Sequence, residues 1–195
     1  YNAAMWLAKV ESSTGSKVEV DWQPFSLAQV NAEKESTVKV WERPEVMDGS
    51  DPVLLAHMSG LAAKRQGKEA FESFFIALLK ARHEEKKDLN DPDVMKDAAE
   101  SAGLDMGRFL EDQSDPDLLS DIAESHTIAV EEYGAFGVPT FVMPGGKAAF
   151  LKMFVPPEEQ ASEIFDSLTH MFSEFEHVGE VKRPQPPWPH AVIKG

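Results

Sequence analysis

Gly137-Val138-Pro139-Thr140-Phe141-Val142 is the stretch on which the fold turns. It follows a long helical pattern and opens a short apolar strand. Proline cannot donate to a sheet ladder, so an X-Pro step at the mouth of a strand is costly unless something uses it. A proline in this setting is often cis and lies beside a site.

On the upstream side, Leu118, Leu119, Ile122, Ala123, His126, Ala129, Val130 and Tyr133 follow a helical period, and Gly134 ends it. On the downstream side the spacing predicts a strand over 140–143, a turn at Pro144-Gly145-Gly146, and a returning strand over 147–153. Pro156-Pro157-Glu158-Glu159 then opens a last helix. Its stripe is Ile164, Phe165, Leu168, Met171, Phe172 and Phe175.

At the other end, residues 1–10 read as a helix already under way. Ala3, Trp6, Leu7 and Val10 make one apolar face, and Gly15 is placed to stop it. Residues 17–23 alternate: Val18, Val20 and Trp22 point one way and the charged positions the other, which predicts a half-buried strand ended by Pro24. Residues 28–50 are polar and irregular and read as a linker. Three Asp-Pro steps, at Asp51, Asp91 and Asp115, pair an N-cap acid with a proline at the first helical position. The helices they start, with another after Gly67 carrying Phe71, Phe74, Phe75, Leu78 and Leu79, fill the middle of the chain. Met106, Phe109 and Leu110 read as a short turn. The tail from Arg183 to Pro189 favours polyproline II.

Composition narrows the partners. The formal net charge is −15, so nucleic acid and anionic membrane surfaces are poor candidates. No apolar run approaches the roughly 18 residues that a membrane-spanning helix needs. With no cysteine, this chain offers neither a disulfide framework nor a thiolate metal site. The histidines show no metal-binding spacing, and the acidic runs at His83-Glu84-Glu85-Lys86-Lys87-Asp88 and Glu131-Glu132 read as solvated helix faces.

The proline loop, its hairpin and the closing helix, together with Trp22-Gln23-Pro24-Phe25 at the end of the early strand, resemble the DsbA family. The resemblance covers about residues 1–184. It implies an α/β chain, a thioredoxin-like fold with an inserted helical subdomain. Residues 1–48 and 127–180 would form the thioredoxin-like domain, 49–126 the helical insertion, and 181–195 a proline-rich tail. It further implies a thiol-disulfide oxidoreductase whose C-x-x-C motif is expected just before Tyr1, at the N-terminus of the first helix. Helical N–H groups and the helix dipole favour a thiolate there. Val138, Pro139 and Thr140 would hold an extended substrate, with Tyr1 and His126 as site neighbours. His126 has a plainer reading, as a hydrogen-bonded core histidine.

The substrate would be a thiol- or disulfide-containing protein or small molecule, without a bound metal or resident cofactor. The soluble branch with this insertion implies a cytoplasmic protein, and the apolar stripes would serve a homodimer as well as a core. Two rivals share the scaffold. One is a glutathione-dependent enzyme of the kappa-class transferase or 2-hydroxychromene-2-carboxylate isomerase type, which would hold glutathione on the same loop. The other is a binding module that keeps the peptide edge without redox chemistry.

Overall fold

The computed structural model describes residues 1–32, 37–47 and 54–181. The chain divides into two compact units, Tyr1–Trp22 with Ala129–Gly195, and Gln23–Ile128.

In the first unit, helix α1 (Asn2–Thr14) buries Ala3, Ala4, Trp6, Leu7 and Val10 on one face. Gly15 ends it in the left-handed region, φ 67°, and donates its N–H to the Glu11 carbonyl. Glycine suits this position because it has no Cβ to strain. Strands β1 (Thr140–Val142) and β2 (Ala148–Phe150) form an antiparallel hairpin with Thr140 opposite Phe150, Phe141 opposite Ala149 and Val142 opposite Ala148. Gly145 and Gly146 make the turn at φ 94° and 84°. Helix α9 (Glu158–Glu174) lays the fully buried Ala161 against Trp6. The Trp6 indole donates from Nε1 to the Ala161 carbonyl at 3.0 Å. Ile164, Phe165 and Leu168 continue the α9 stripe as expected. Phe175 does not: it lies past the last helical residue, with φ −104° and ψ 71°, and is exposed.

The strand expected over 17–23 is corrected. Val18, Val20 and Trp22 do turn inward onto Trp6, Leu7, Val10 and Ala161, and the Val18 N–H is held by the Glu11 carboxylate at 2.9 Å. Yet among the described residues the sheet consists of β1 and β2 alone. Alternation reports which side of a backbone meets the core; a strand needs a ladder as well. Among the described residues the chain is therefore mostly helical, with one small sheet.

The second unit is built from helices among its described residues. The linker expected over 28–50 is corrected too, where it is described. It contains α2 (Leu27–Ala32), a 3-10 turn (Val40–Glu42) and α3 (Pro44–Met47). Polar composition concealed their apolar points. Val40, Val46, Leu54 and Leu119 form one buried cluster, flanked by Ala28, Ala32, Trp41 and Met58. Buried Gln29 accepts the Val40 N–H at 2.8 Å, so one polar side chain closes the segment on itself. This packing places the unit boundary after Trp22, where the sequence reading put it near residue 48.

Helices α5 (Lys68–His83), α6 (Pro92–Ser101) and α8 (Asp117–Glu131) follow the expected starts closely, and α4 spans Leu55–Lys64, ending just before Arg65 as expected. Asp91 caps α6 by accepting the Asp93 N–H, with Pro92 in the first turn. Asp115 accepts the Asp117 N–H at 3.0 Å. That bond first, and Arg65 second, hold the Asp115 carboxyl below the usual carboxylate range; Arg65 also bridges to Asp112. The cap expected at Asp51-Pro52 and the polyproline tail lie outside the described residues. The turn expected at 106–110 is a full helix, α7 (Met106–Gln113). Its start is made by Asp105, whose carboxylate accepts the Arg108 N–H and whose backbone is clasped by both ends of the Gln66 amide. Phe109 is fully buried against Phe74, with ring centroids 5.6 Å apart.

Replacing Trp6 by phenylalanine removes a buried N–H donor and leaves a void beside Ala161. Urea unfolding should show a loss of roughly 2 to 4 kcal/mol. A loss under about 0.5 kcal/mol, the range of an ordinary surface change, would mean that α1 is not fixed through this indole.

Candidate functional site

The proline loop begins where α8 ends. Gly134, at φ 63°, turns the chain, and the Ala135 N–H reaches back to the Ala129 carbonyl at 2.8 Å. Phe136, Gly137 and Val138 then lead into Pro139. The Val138–Pro139 peptide bond is cis. Two contacts fix the loop on the hairpin. The Leu151 N–H donates to the Pro139 carbonyl at 3.1 Å, extending the β1–β2 pairing by one step, and the Thr140 hydroxyl donates to the Gly137 carbonyl at 2.8 Å. Val138 is 48% exposed, and among the described residues its backbone N–H and C=O take part in no hydrogen bond. An extended chain laid beside it would find both groups available.

Asn2, in the first turn of α1, donates from its side-chain amide to the Met153 carbonyl at 2.8 Å. Met153 lies two residues beyond Leu151, which holds Pro139. Along an extended backbone two residues span about 7 Å. The beginning of α1 and the proline loop are thus tied to neighbouring points on one segment. Tyr1 sits at the cap of α1, half-buried, with its carbonyl accepting the Met5 N–H. The structure therefore brings Tyr1, Pro139 and Thr140 into a single framework through the segment after β2.

His126 lies in the second unit. It is 2% exposed, its Nδ1 accepts the Ser26 N–H at 3.3 Å, and its ring stacks on Phe25 and tilts against Trp41. These are the contacts of a core histidine. Near it, Gln23, Pro24, Leu61, Asp121, Glu124, Ser125 and Ile128 line a shallow cleft of about 270 Å³. No group of three or more histidine, aspartate or glutamate side chains converges as metal ligands among the described residues.

Sequence reasoning missed Asn2, Phe136 and Phe150. Phe136 is 66% and Phe150 40% exposed, with ring centroids 4.9 Å apart. The edge of Phe150 also lies under Gly137, where an added Cβ would meet Cε2 at 3.2 Å. The oddity of an exposed Phe-Gly pair before the proline was the available signal for Phe136. Nothing local marked Asn2, whose partner is 151 residues away.

Gly137→Ala should cost about 1 kcal/mol in thermal unfolding through this contact. Phe150→Leu should relieve the clash, so that the double variant is more stable than the sum of the single changes predicts. Strict additivity would show that Phe150 does not support the loop. Comparison with curated proteins gave no match. The family model of the DSBA-like thioredoxin domain matches residues 1–162, which is most of the chain and includes α1, the proline loop and the hairpin. With that match added to the tie between the first helix and the proline loop, this chain belongs to the DsbA-like thioredoxin-domain family, whose members resemble thiol-disulfide oxidoreductases.

Proposed function

We propose that the protein is a thiol-disulfide oxidoreductase that works through a C-x-x-C motif immediately preceding Tyr1. In this reading the helical unit is an insertion in a thioredoxin-like domain. Val138, Pro139 and Thr140 hold an extended thiol- or disulfide-bearing substrate, and the compartment is the cytoplasm. The observation that carries the reading is the tie of α1 to the loop: Asn2 to Met153, and Leu151 to Pro139.

The chemistry follows from that placement. A cysteine at the start of α1 meets N–H groups with no intrahelical partner and the positive end of the helix dipole, both of which favour its thiolate. When the pair is oxidised, a substrate thiolate attacks one enzyme sulfur. An S–S bond forms to the substrate, and the enzyme's own S–S bond breaks to release a thiolate. A second substrate thiolate then displaces the first enzyme sulfur, leaving an oxidised substrate and a reduced pair. Two electrons have moved to the enzyme, and the reverse order reduces a substrate disulfide. Val138 contributes its backbone N–H and C=O, which hold the substrate strand in line for attack.

The absence of cysteine from these 195 residues favours one second reading, glutathione-dependent chemistry with the cofactor's own thiol on the same loop. Intact mass and a thiol count of the native gene product separate the two. Two thiols appearing on reduction support the disulfide exchange; a product without thiols sinks it, and turnover that requires added glutathione then supports the rival. In a protein with the thiol pair, Val138→Asp puts a carboxylate beside the thiolate and raises the thiol pKa. Disulfide-exchange kcat/KM should fall by about tenfold or more, while stability stays within about 0.5 kcal/mol because the side chain is exposed. Unchanged exchange would place the substrate elsewhere.

A further inference from the structure

Two exposed phenylalanines border the edge at Val138. The rings of Phe136 and Phe150 have centroids 4.9 Å apart and planes at 44°. Phe150 stands opposite Thr140 on the outward side of the hairpin, and Val142 is exposed on that same side, opposite Ala148. The other side carries Phe141 and Leu151, which pack toward Trp6. Phe150 has a structural task, because its ring edge lies under Gly137. Phe136, by contrast, stays 66% exposed, so packing in the chain's own core does not account for it. Phe150 holds its ring, and a held ring loses less freedom when it meets a ligand.

Charge says what such a surface accepts. Asp, Glu, Lys and Arg make up 27% of the chain and the net charge is −15, yet residues 133–146 contain none of the four. Glu131, Glu132 and Lys147 stand only at the ends of that stretch. A neutral apolar group laid on the rings therefore strips water from no charge within it. A carboxylate would meet the negative faces of two rings in an acidic protein. A cation would be drawn by the field of the whole chain, and salt would screen that attraction.

Spacing says which part of a ligand arrives there. From Phe136 to Val138 the chain runs exposed, half-buried, exposed. These two side chains thus share a side and stand about 7 Å apart along the backbone. A segment extended along the edge at Val138 has the same period of two. The side chain two residues from the one held at Val138 therefore reaches the ring pair.

We propose that Phe136 and Phe150 form an apolar subsite, which selects polypeptide substrates with an aromatic residue second in sequence from the reacting cysteine. The cysteine's place rests on the thiol-disulfide reading of the loop, whereas the rings need no thiol to bind.

Short neutral glycine-serine peptides test this on the native gene product. In one series serine replaces the central cysteine, so binding is read without redox chemistry. Phenylalanine, leucine, lysine, glutamate or serine stands second before or second after the centre. NMR titration follows the amides of Phe136, Val138 and Phe150. On one side of the centre, phenylalanine should bind about fivefold or more tighter than serine, with leucine between them. That advantage should persist at high salt. Phe136→Ser should abolish most of it and Phe136→Trp should keep it. Phe175→Ser, which removes another exposed ring, should leave it intact. Equal binding of the phenylalanine and serine peptides on both sides overturns the subsite. So does a preference that survives Phe136→Ser, or one that follows lysine and vanishes with salt. The same peptides with a central cysteine, supplied as symmetric disulfides, read the exchange reaction, and kcat/KM should follow the same order. Selective binding with no exchange on any peptide overturns the oxidoreductase reading and leaves the rings as a peptide subsite. Exchange without selectivity overturns the subsite and leaves the oxidoreductase.

Discussion

The hydrogen bond from the Trp6 indole to the Ala161 carbonyl spans 155 positions of sequence and sits in a site 1% exposed. Much else in the first unit depends on it. The indole is the largest group in the core there, and its N–H would be costly to bury without an acceptor. The acceptor is a main-chain carbonyl of α9, so α1 is fixed in both rotation and height. Phe141 of β1 meets the Trp6 ring edge-on at 6.2 Å, and Phe165 of α9 meets it at 5.8 Å. Helix, hairpin and closing helix thus share one aromatic centre. Asn2 can reach Met153, and Lys9 the Pro156 carbonyl at 2.8 Å, because that centre has already set the face of α1 that looks toward the segment after β2.

Local rules were enough for much of this. Residues spaced three and four apart gave α1, α5, α6 and α8, and Gly15 and Asp91 took the cap conformations their chemistry suggests. The hairpin was legible because Pro144-Gly145-Gly146 permits little else between two apolar runs. The failures share a cause. The helices within 28–50 depend on Gln29 pairing with Val40 and on Val40 meeting Leu119, so their stability comes from distant positions rather than from their own period. Likewise α7 is short and strongly polar, and it is held at its start by Gln66, 39 residues earlier. Over 17–23 the alternation correctly assigned the buried face, but no pattern within one segment can report a ladder.

The candidate site divides along the same line. Pro139 was visible as a motif, and the family match rests on a region that contains it. Thr140 was visible beside it, and its hydroxyl closes the loop onto Gly137. His126 drew notice as a histidine on an apolar helix face, and its contacts are those of a core residue, with Nδ1 accepting the Ser26 N–H and the ring stacked on Phe25. The tie through Asn2 and the support from Phe150 could not be read, since each depends on where a partner far along the chain comes to rest.

Charge gives a further reason to look at the start of α1. The chain carries −15, and its field opposes any additional anion. Several helices neutralise their positive ends from within: α5 has Glu69 in its first turn, α6 Asp93, α8 Asp117, and α9 Glu158 and Glu159. The first turn of α1 has no acid, and no side chain caps it. Within an acidic protein, the first turn of α1 thus adds no negative charge of its own at the end that Asn2 ties toward the proline loop. A carboxylate in that turn would cancel much of the stabilisation available to a thiolate, because two anions a few ångströms apart raise each other's pKa. The alanines that follow Asn2 therefore serve two ends. They pack closely in the core, and they add no negative charge to the first turn of the helix.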